Sequence, residues 1–369
     1  MEGIQTRGAS PRADVAVVVP CYNYGHFLRG CVHSILECTS LDVTVIVVDD
    51  CSTDDTPQVC AQLSRETNKV RVVRHERNRG HIATYNHGLS LADSDFVHLI
   101  SADDELTPFS LDRAVAIMRR HPDVGMVYGR ALTGSVPIRP PYHGSEPTSY
   151  SIVRGADWIE ARCEDGRNPI YSPEVTLRGA VARAAGDYDE RLPRNADLEM
   201  WLRIAARSNV AILENVNQAF YRSHPNNMHI AHGKEGLLRC IEECASSYRI
   251  FFAKDGHLLA DPDRLHATAR ERMARDALRQ ARLVYDEGHS DEELLGQTME
   301  FARSMTDAAE ELGEWAMVQR RRNRSHRHAL KRWMLGRLSA RISRWWAWQM
   351  RNRNLGHKGL PVIHTGSLK

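Results

Sequence analysis

The stretch DVAVVVPCYNYGHFLRGCVHSILECTSLDVTVIVVDD (Asp14–Asp50) joins two short apolar runs through a segment of helical periodicity. The runs Asp14–Pro20 and Asp42–Asp50 consist mostly of β-branched residues on both faces, which is typical of strands buried inside a parallel sheet. The apolar residues between the runs recur at helical spacing, at Phe27, Cys31, Ile35 and Leu36. Strand, helix and strand in this order predict a βαβ unit with parallel strands and a right-handed crossover.

The same alternation continues further along the chain. Short strands are predicted at Lys69–His75, Asp95–Ser101 and 124–129. Helices are predicted at Thr53–Thr67, at Gly80–Ala92 and in a stretch that ends at His121, just before Pro122. Strands that alternate with helices of this length predict a doubly wound α/β fold with a mostly parallel, Rossmann-like sheet.

The chain changes character after these strands. Residues 131–170 are rich in Pro, Gly, Ser and Tyr, which predicts an irregular segment. A helix at 195–208 and a strand at 209–216 follow, and from about residue 231 the pattern is helical. The sequence therefore predicts four parts: a flexible tail (1–13), an α/β domain (14–230), a helical extension (231–314) and a basic amphipathic helix with its tail (315–369).

Composition limits the classes of protein to which this chain can belong. Its 369 residues are 42% hydrophobic and 26% charged, as in globular proteins. The sequence shows no signal peptide and no run of about 18 apolar residues, the length that spans a bilayer. The eight cysteines lack the paired spacing of a metal site, so we expect them to be free thiols in a reducing cytoplasm. The net charge of +2 is divided unevenly: residues 315–369 contain 14 Lys and Arg and no Asp or Glu, which leaves −12 for the first 314 residues.

Polar residues follow the predicted strands at the edge where open α/β sheets bind their ligands. Pro20, Tyr22 and Asn23 come directly after the first strand and can stack on a base and hydrogen-bond to it. The second strand ends in Asp50, with Ser52 close behind. The sequence therefore predicts a nucleotide site at the carboxyl ends of these two strands.

Neither a dinucleotide-binding motif G-x-G-x-x-G after the first strand nor a phosphate loop G-x-x-x-x-G-K-[ST] is present, which argues against hydride transfer and against an ordinary NTPase. A bound nucleotide then needs another way to neutralise its phosphates, and a divalent cation is the simplest. Asp103 and Asp104, at the end of a predicted strand, supply the hard oxygen ligands that Mg²⁺ or Mn²⁺ prefers. Asp54 and Asp55 are expected instead to cap a helix.

Five segments occur in a fixed order: VVVPCYNYGHFLRGCVHSIL, VIVVDDCSTDDT, RNRGHIATYNHGL, LISADDELTP and NADLEMWLRIA. Together they resemble the landmarks of the inverting family-2 glycosyltransferases of GT-A fold, over about residues 14–230. The resemblance implies transfer of a sugar from a nucleotide diphosphate-sugar, with UDP- or dTDP-sugars favoured, and a Mn²⁺ or Mg²⁺ cofactor.

The resemblance also implies which residues bind the donor. These are Pro20, Tyr22, Asn23, Asp50, Ser52, Arg79, Gly80, Asn86, Ser101, Ala102 and Asp103. The first three would line the base and the ribose, and Asp50 would accept a hydrogen bond from the base. The segment from Arg79 to Asn86 would close over the nucleotide sugar.

Metal binding and catalysis are implied for the next two landmarks. Asp103 stands at the last position of the family's D-x-D signature and would bind the metal with Asp104 beside it, whereas Ser101 replaces the signature's first acid. Asp197 matches the general base that removes the acceptor's proton, although Ala196 stands where the family usually has a second acid. A plain helix cap is the alternative role for Asp197.

Five further side chains near these landmarks are also interpreted. His224 matches a position that often binds the metal or the diphosphate, with His229 as the alternate, and Arg222 is a candidate phosphate contact. Glu199 is interpreted as a surface acid. Glu105 is interpreted as part of the turn that follows the acidic pair.

The basic segment 320–353 has apolar residues along one helical face and Lys and Arg around the rest. This composition is typical of an interfacial helix on anionic lipid, which would make the protein cytoplasmic and peripheral on the inner face of a membrane. Docking on the acidic domain or self-association through a second subunit is the alternative. No nucleic-acid-binding motif is present, so a nucleic acid partner is not expected.

The leading hypothesis is a metal-dependent inverting glycosyltransferase that acts on a hydroxyl or amine of a glycan, a lipid-linked substrate or a natural product. A nucleotide-sugar mutase or nucleotidyltransferase on the same fold is an alternative, but it would need a basic glycine-rich loop near the first strand, which PCYNYGHF is not. A catalytically inactive module that binds nucleotide sugars and uses its basic tail on membranes or polyanions is another, because Ser101 and Ala196 depart from the family pattern.

Overall fold

Strands and helices alternate through the first half of the chain, as the sequence predicts. The computed structural model describes residues 14–37, 39–137, 148–225, 227, 235–286, 292–322 and 360–368. The strands are β1 (Val15–Cys21), β2 (Val43–Asp49), β3 (Val70–Arg74), β4 (Phe96–Leu99), β5 (Glu105–Leu106), β6 (Val124–Gly134), β7 (Thr148–Val153), β8 (Thr176–Arg178), β9 (Asn209–Arg222) and β10 (Val362–Leu368).

The helices flank this sheet and continue beyond it. They are α1 (Gly25–Leu36), α2 (Thr56–Glu66), α3 (His81–Ser90), α4 (Ser110–Arg120), α5 (Gly155–Asp165), α6 (Gly179–Ala185), α7 (Ala196–Ala205), α8 (Glu235–Asp255), α9 (Pro262–Asp286), α10 (Glu292–Met305) and α11 (Gly313–Arg322).

The described strands form one sheet in the order β10-β7-β9-β6-β8-β4-β1-β2-β3, with β5 paired to β9. The pairs β1–β2, β2–β3 and β1–β4 are parallel, so the half of the sheet that follows the βαβ pattern is parallel throughout. Strands β8 and β7 insert antiparallel to their neighbours in the other half. The predicted doubly wound α/β fold with C-terminal helices is confirmed.

Alternation along the strands explains why helices cover both faces of the sheet. In β1, Ala16 and Val18 pack on one face, whereas Val17 and Val19 pack on the other. The first face is covered by α5, α7 and α8 and the second by α1, α2 and α4. Burial on both faces is the reason why β1 and β2 contain mostly valine and isoleucine.

The prediction of an irregular segment at 131–170 is wrong for much of its length. Strand β6 runs on to Gly134, and β7 and α5 both fall inside the segment. Tyr150 and Ile152 alternate into the core from β7, and α5 buries Trp158. These apolar side chains bury enough surface to order the backbone despite the Pro- and Gly-rich composition around them.

The C-terminal part is mostly helical, as predicted. Helices α8 and α9 pack against the α/β domain, and α9, α10 and α11 share a small apolar core of their own. The boundaries of the four predicted parts stay a prediction. Residues 362–368, predicted as tail, form an antiparallel edge strand on β7 instead. Most of the predicted basic helix, residues 323–359, lies outside the described residues, and the described helices include none that could cross a bilayer.

Candidate active site

The turns after β1 and β2 are tied to each other at the carboxyl edge of the sheet. The backbone N–H of Asn23 donates to Ser52 Oγ over 2.9 Å, and the N–H of Thr53 donates to Asn23 Oδ1 over 2.8 Å. Asn23 has a left-handed φ of 57°, which an Asn side chain tolerates better than most. Tyr22 is 46% exposed beside this junction. The structure therefore brings together Tyr22, Asn23 and Ser52, three of the predicted donor-binding residues.

Asp50 is buried and organises the segment that precedes α3. Its Oδ1 accepts a hydrogen bond from the N–H of Arg79 over 2.8 Å, and its Oδ2 accepts one from the N–H of Gly80 over 2.9 Å. His75 Nδ1 lies 2.7 Å from Oδ1 and donates to it, since a carboxylate only accepts. The second ring nitrogen of His75 lies 2.7 Å from His87 Nδ1. Sequence reasoning assigned no role to either histidine, because His75 ends a predicted strand and His87, although within the segment RNRGHIATYNHGL, is not one of the positions matched there.

Asn86 and Asp54 hold neighbouring segments together. Asn86 donates to the carbonyl of Tyr188 over 2.9 Å and accepts from the N–H of the same residue over 2.8 Å, so both ends of its amide have backbone partners. Asp54 accepts from the first N–H of α1, at Gly25, over 3.1 Å and from that of α2, at Thr56, over 3.0 Å. The capping role predicted for Asp54 is confirmed, and Asp55 is the N-cap residue of α2 without a side-chain hydrogen bond.

The acidic pair after β4 is divided between two environments. Asp103 Oδ2 lies 3.0 Å from His224 Nε2, and the Asp103 side chain keeps slight exposure. Asp104 Oδ1 accepts a hydrogen bond from the N–H of Arg222 over 2.9 Å. Burial, together with the charge of Asp103, raises the pKa of Asp104 well above its usual range. Asp103 therefore meets an imidazole side chain, and Asp104 meets a backbone N–H.

Two assignments from the sequence are wrong here. Glu105, interpreted as a turn residue, is buried in β5 opposite Phe220 of β9, and its carboxylate pairs with Arg222 over 2.8 Å. Arg222, a candidate phosphate contact, uses its guanidinium inside the protein, since Nε also donates to the Asp103 carbonyl over 2.8 Å and the group stands 4.7 Å from the Phe27 ring centre. The pairing of β5 with β9 places these two charges side by side.

The residues present fit a divalent ion held by two protein ligands. Among the described residues, no group of three His, Cys, Asp or Glu side chains has the spacing of a metal site. Asp103 and His224 remain as one carboxylate and one imidazole, and Mg²⁺ and Mn²⁺ sites of this kind are completed by substrate phosphates and water. Burial, followed by the charges of Asp103 and Asp104, raises the pKa of Tyr24, the neighbour of this pair, to about 12. His229 lies outside the described residues.

Asp197 opens α7 with its carboxylate held in place. Its Oδ1 accepts from the N–H of Leu198 over 2.8 Å, and its Oδ2 accepts from Asn168 Nδ2 over 2.9 Å. Burial raises the pKa of Asp197 to about 6, against the effect of these donors. The N-cap residue of α7 is Asn195. A carboxylate that is ionised at neutral pH and has a pKa close to it is suited to accept a proton.

The charges of Asp103 and Asp197 both act on the Tyr85 hydroxyl. This hydroxyl hydrogen-bonds to Ser101, and its pKa is raised by burial and then by the charges of Asp103 and Asp197. One side chain thus feels both carboxylates. Ser101 and Ala102 lie at the end of β4, where the N–H of Ala102 bonds to the carbonyl of Pro20 over 3.3 Å.

The interpretation of Glu199 as a surface acid is wrong. Glu199 is fully buried on α7 and pairs with Arg203 over 2.7 Å, while burial raises its pKa. Two residues further along, Trp201 is also buried in the core. The helix that carries Asp197 is therefore anchored by buried side chains directly behind it.

Comparison with known proteins gives a consistent result. Residues 16–175 match the family model described as Glycosyl transferase family 2. The chain is 37% identical over 174 residues to Glycosyltransferase GlyG of Streptococcus pneumoniae, which covers 47% of this chain and 51% of GlyG. It is also 28% identical over 218 residues to an uncharacterized protein, MT1568, of Mycobacterium tuberculosis. That alignment covers 54% of this chain and 64% of MT1568. The chain thus spans about half to two thirds of the length of these relatives.

Solved structures show the same fold at low sequence identity. S. aureus TarS 1-349 superposes with a TM-score of 0.57 and 17% sequence identity, and the superposition covers 89% of this chain and 92% of that chain. The complex of TarS 1-349 with UDP gives a TM-score of 0.53 at 16% identity, with the same coverage of both chains. The mannosyltransferase PcManGT from Pyrobaculum calidifontis, in complex with GDP-Man and Mn²⁺, gives 0.52 at 17% identity, covering 91% of this chain and 88% of that chain.

Proposed function

Residues 16–175 make this chain a member of glycosyltransferase family 2, and from that premise we propose that it is an inverting, metal-dependent glycosyltransferase. It takes a sugar from a UDP- or dTDP-linked donor and places it on a hydroxyl or amine acceptor. The observation that carries the proposal is the contact of 3.0 Å between His224 Nε2 and Asp103 Oδ2 after β4, which supplies a candidate pair of metal ligands. Burial raises the pKa of Tyr85, and the charges of Asp103 and of the candidate base Asp197 both raise it further, which supports placing the two carboxylates in one site.

The donor would lie across the turns after β1 and β2. Tyr22 is exposed for stacking on a base, and Asp50 holds the segment at Arg79 and Gly80 beside it. Related structures contain UDP in TarS and GDP-Man with Mn²⁺ in PcManGT, which supports a nucleotide diphosphate-sugar as the class of donor. In this proposal Asn86 acts indirectly, by fixing the backbone at Tyr188.

The reaction would use this chain's residues as follows. The carboxylate of Asp197 takes the proton of the acceptor hydroxyl while the oxygen forms a bond to the anomeric carbon, and the bond from that carbon to the diphosphate oxygen breaks. Attack from the side opposite the leaving group inverts the anomeric centre. Asp103 and His224 would hold Mn²⁺ or Mg²⁺, which when bound offsets the negative charge of the departing nucleoside diphosphate.

Two alternatives receive less support. A mutase or nucleotidyltransferase on this fold would need a glycine-rich phosphate loop after β1, whereas the turn there contains Asn23, which bonds to Ser52 of the turn after β2. An inactive binding module would not require a base, whereas burial raises the pKa of Asp197 to about 6, a value useful for proton transfer.

The charge of residues 315–369, +14 from Lys and Arg, supports a peripheral position on an anionic inner membrane face as part of the proposal. Self-association through segment 320–353 is the competing possibility. Sedimentation with phosphatidylcholine vesicles containing 30% phosphatidylserine separates them. We expect the chain to bind these vesicles at low salt and to release at high salt, whereas vesicle-independent dimers would support self-association.

A thermal-shift screen of nucleotide sugars, each with and without Mn²⁺, tests the donor directly, because a ligand that binds only the native state raises the melting temperature. UDP- or dTDP-sugars should raise it more with Mn²⁺ than without. A screen in which no nucleotide sugar shifts the melting temperature would overturn the proposal.

A further inference from the structure

Two stacked tyrosines lie outside the apolar core. The ring centres of Tyr171 and Tyr221 are 4.6 Å apart with an angle of 28° between the planes, and both residues are partly exposed. Six other described tyrosines pack in or against the apolar core: Tyr24, Tyr85, Tyr128, Tyr150, Tyr188 and Tyr248. Neither Tyr171 nor Tyr221 does so. Their rings meet where the short 3-10 turn after Tyr171 packs against β9.

One end of this pair borders the acidic pair of the site. Tyr221 directly precedes Arg222, whose N–H donates to Asp104 over 2.9 Å. Burial, followed by the charges of Asp104 and Asp103, raises the pKa of Tyr221 above its usual range. The hydroxyl of Tyr221 is thus within electrostatic reach of the carboxylate assigned to the metal.

The other end is connected to the proposed base. Tyr171 lies three residues after Asn168, whose side chain donates to Asp197 over 2.9 Å. The short segment 168–171 therefore runs from the general base to the tyrosine pair. This segment is thus one wall along which an acceptor could approach Asp197.

We propose that Tyr171 and Tyr221 form the platform on which the acceptor binds, and that the accepting unit is a pyranose ring. This inference rests on the function proposed above and specifies its acceptor. One face of a pyranose presents several C–H groups, which pack on an aromatic ring, while the hydroxyls at its rim reach tyrosine O–H groups. An alditol chain or a simple amine has no such face. Aromatic walls with a few polar groups are also the usual lining of small-molecule sites.

Saturation-transfer NMR on the full chain with UDP and Mn²⁺ tests the platform. The probes are methyl β-D-glucopyranoside, methyl α-D-mannopyranoside and methyl N-acetyl-β-D-glucosaminide, with ribitol as the open-chain comparison. We expect saturation of the pyranosides, strongest on the C–H groups of one face, and little on ribitol. Tyr171→Ala should lower the saturation roughly 3- to 10-fold, the scale of an aromatic contact, whereas Tyr171→Phe should keep it.

Equal saturation of ribitol and the pyranosides, or equal saturation in Tyr171→Ala and wild type, would overturn the platform. Leu258→Ala, which trims an exposed side chain after α8, serves as the matched control and should match wild type. Calorimetric measurement of UDP and GDP binding distinguishes failure of the acceptor platform from failure of the proposed function. Nucleotide binding without pyranoside saturation overturns only the platform, whereas absence of nucleotide binding overturns the proposed function and the platform with it.

Discussion

His224 Nε2 lies 3.0 Å from Asp103 Oδ2, although 121 residues separate the two in the chain. The two residues reach each other because β9, which ends at Arg222, pairs with β5 directly after the acidic pair. This contact brings an imidazole to Asp103, whereas Asp104 accepts a hydrogen bond from a backbone N–H.

Removal of either partner should weaken Mn²⁺ binding. We expect His224→Ala and Asp103→Asn each to raise the Kd for Mn²⁺, measured by calorimetry with UDP present, by roughly 100-fold, since a lost ligand to a divalent ion costs several kcal/mol. His26→Ala provides a matched histidine control, because His26 is exposed in the same aromatic cluster. Equal Mn²⁺ affinity in all four proteins would remove this pair from the metal site.

Asp197→Asn should stabilise the folded protein at pH 8. The pKa of Asp197 rises from its ordinary value of 3.8 to about 6, so its ionisation costs folding free energy that grows as pH rises from about 4 to 6 and stays constant above. An uncharged side chain avoids this cost, which predicts a gain of roughly 1–3 kcal/mol at pH 8 and almost none near pH 4. Urea unfolding at both pH values measures it. A loss of stability at pH 8 would show that the buried charge is well compensated.

Asn168 should act as a positioning residue for Asp197. Its Nδ2 donates to the charged carboxylate over 2.9 Å, so its removal favours the protonated form. In Asn168→Ala the acidic limb of the pH–rate profile should therefore move to higher pH by about one unit. Asn215→Ala is the control, because Asn215 is exposed and donates only to Ser149 Oγ in the described contacts. A profile that keeps its midpoint while the rate falls would assign Asn168 a structural role instead.

His75 should support nucleotide binding through Asp50. In His75→Ala, Asp50 loses the donor at 2.7 Å and the segment at Arg79 and Gly80 loses part of its anchor. A hydrogen bond to a charged group contributes about 1.5–3 kcal/mol, so the Kd for UDP should rise by about 10-fold or more. His33→Ala, at a partly exposed position on α1, should bind UDP as wild type does. Unchanged UDP affinity in His75→Ala would separate Asp50 from the donor site.

Local sequence patterns were sufficient for one half of the sheet. The apolar runs of β2 and β4 are followed closely in sequence by Asp50 and Asp103, so periodicity predicts both the strands and the sheet edge at which these acids lie. The rest depends on long-range pairing, which periodicity does not contain. Glu105 meets Arg222 only because β5 pairs with β9.

Asn168 shows the same limit on a smaller scale. It reaches Asp197 from a loop 29 residues earlier, and nothing in its own neighbourhood marks it as part of a site. The strand β7 and helix α5 were hidden by the composition of the segment around them, because Pro, Gly and Ser outweigh the few apolar residues that decide burial.

The pH dependence of sugar transfer to water tests the central claim most directly. Release of UDP from UDP-sugars with Mn²⁺ should rise with pH through a midpoint near 6 in the wild type, because Asp197 has to be ionised to accept a proton. In Asp197→Asn the release should fall by roughly 100-fold or more at every pH, without a midpoint near 6. Release at the wild-type rate in Asp197→Asn, with the same profile, would contradict the assignment of the base and with it the proposed mechanism.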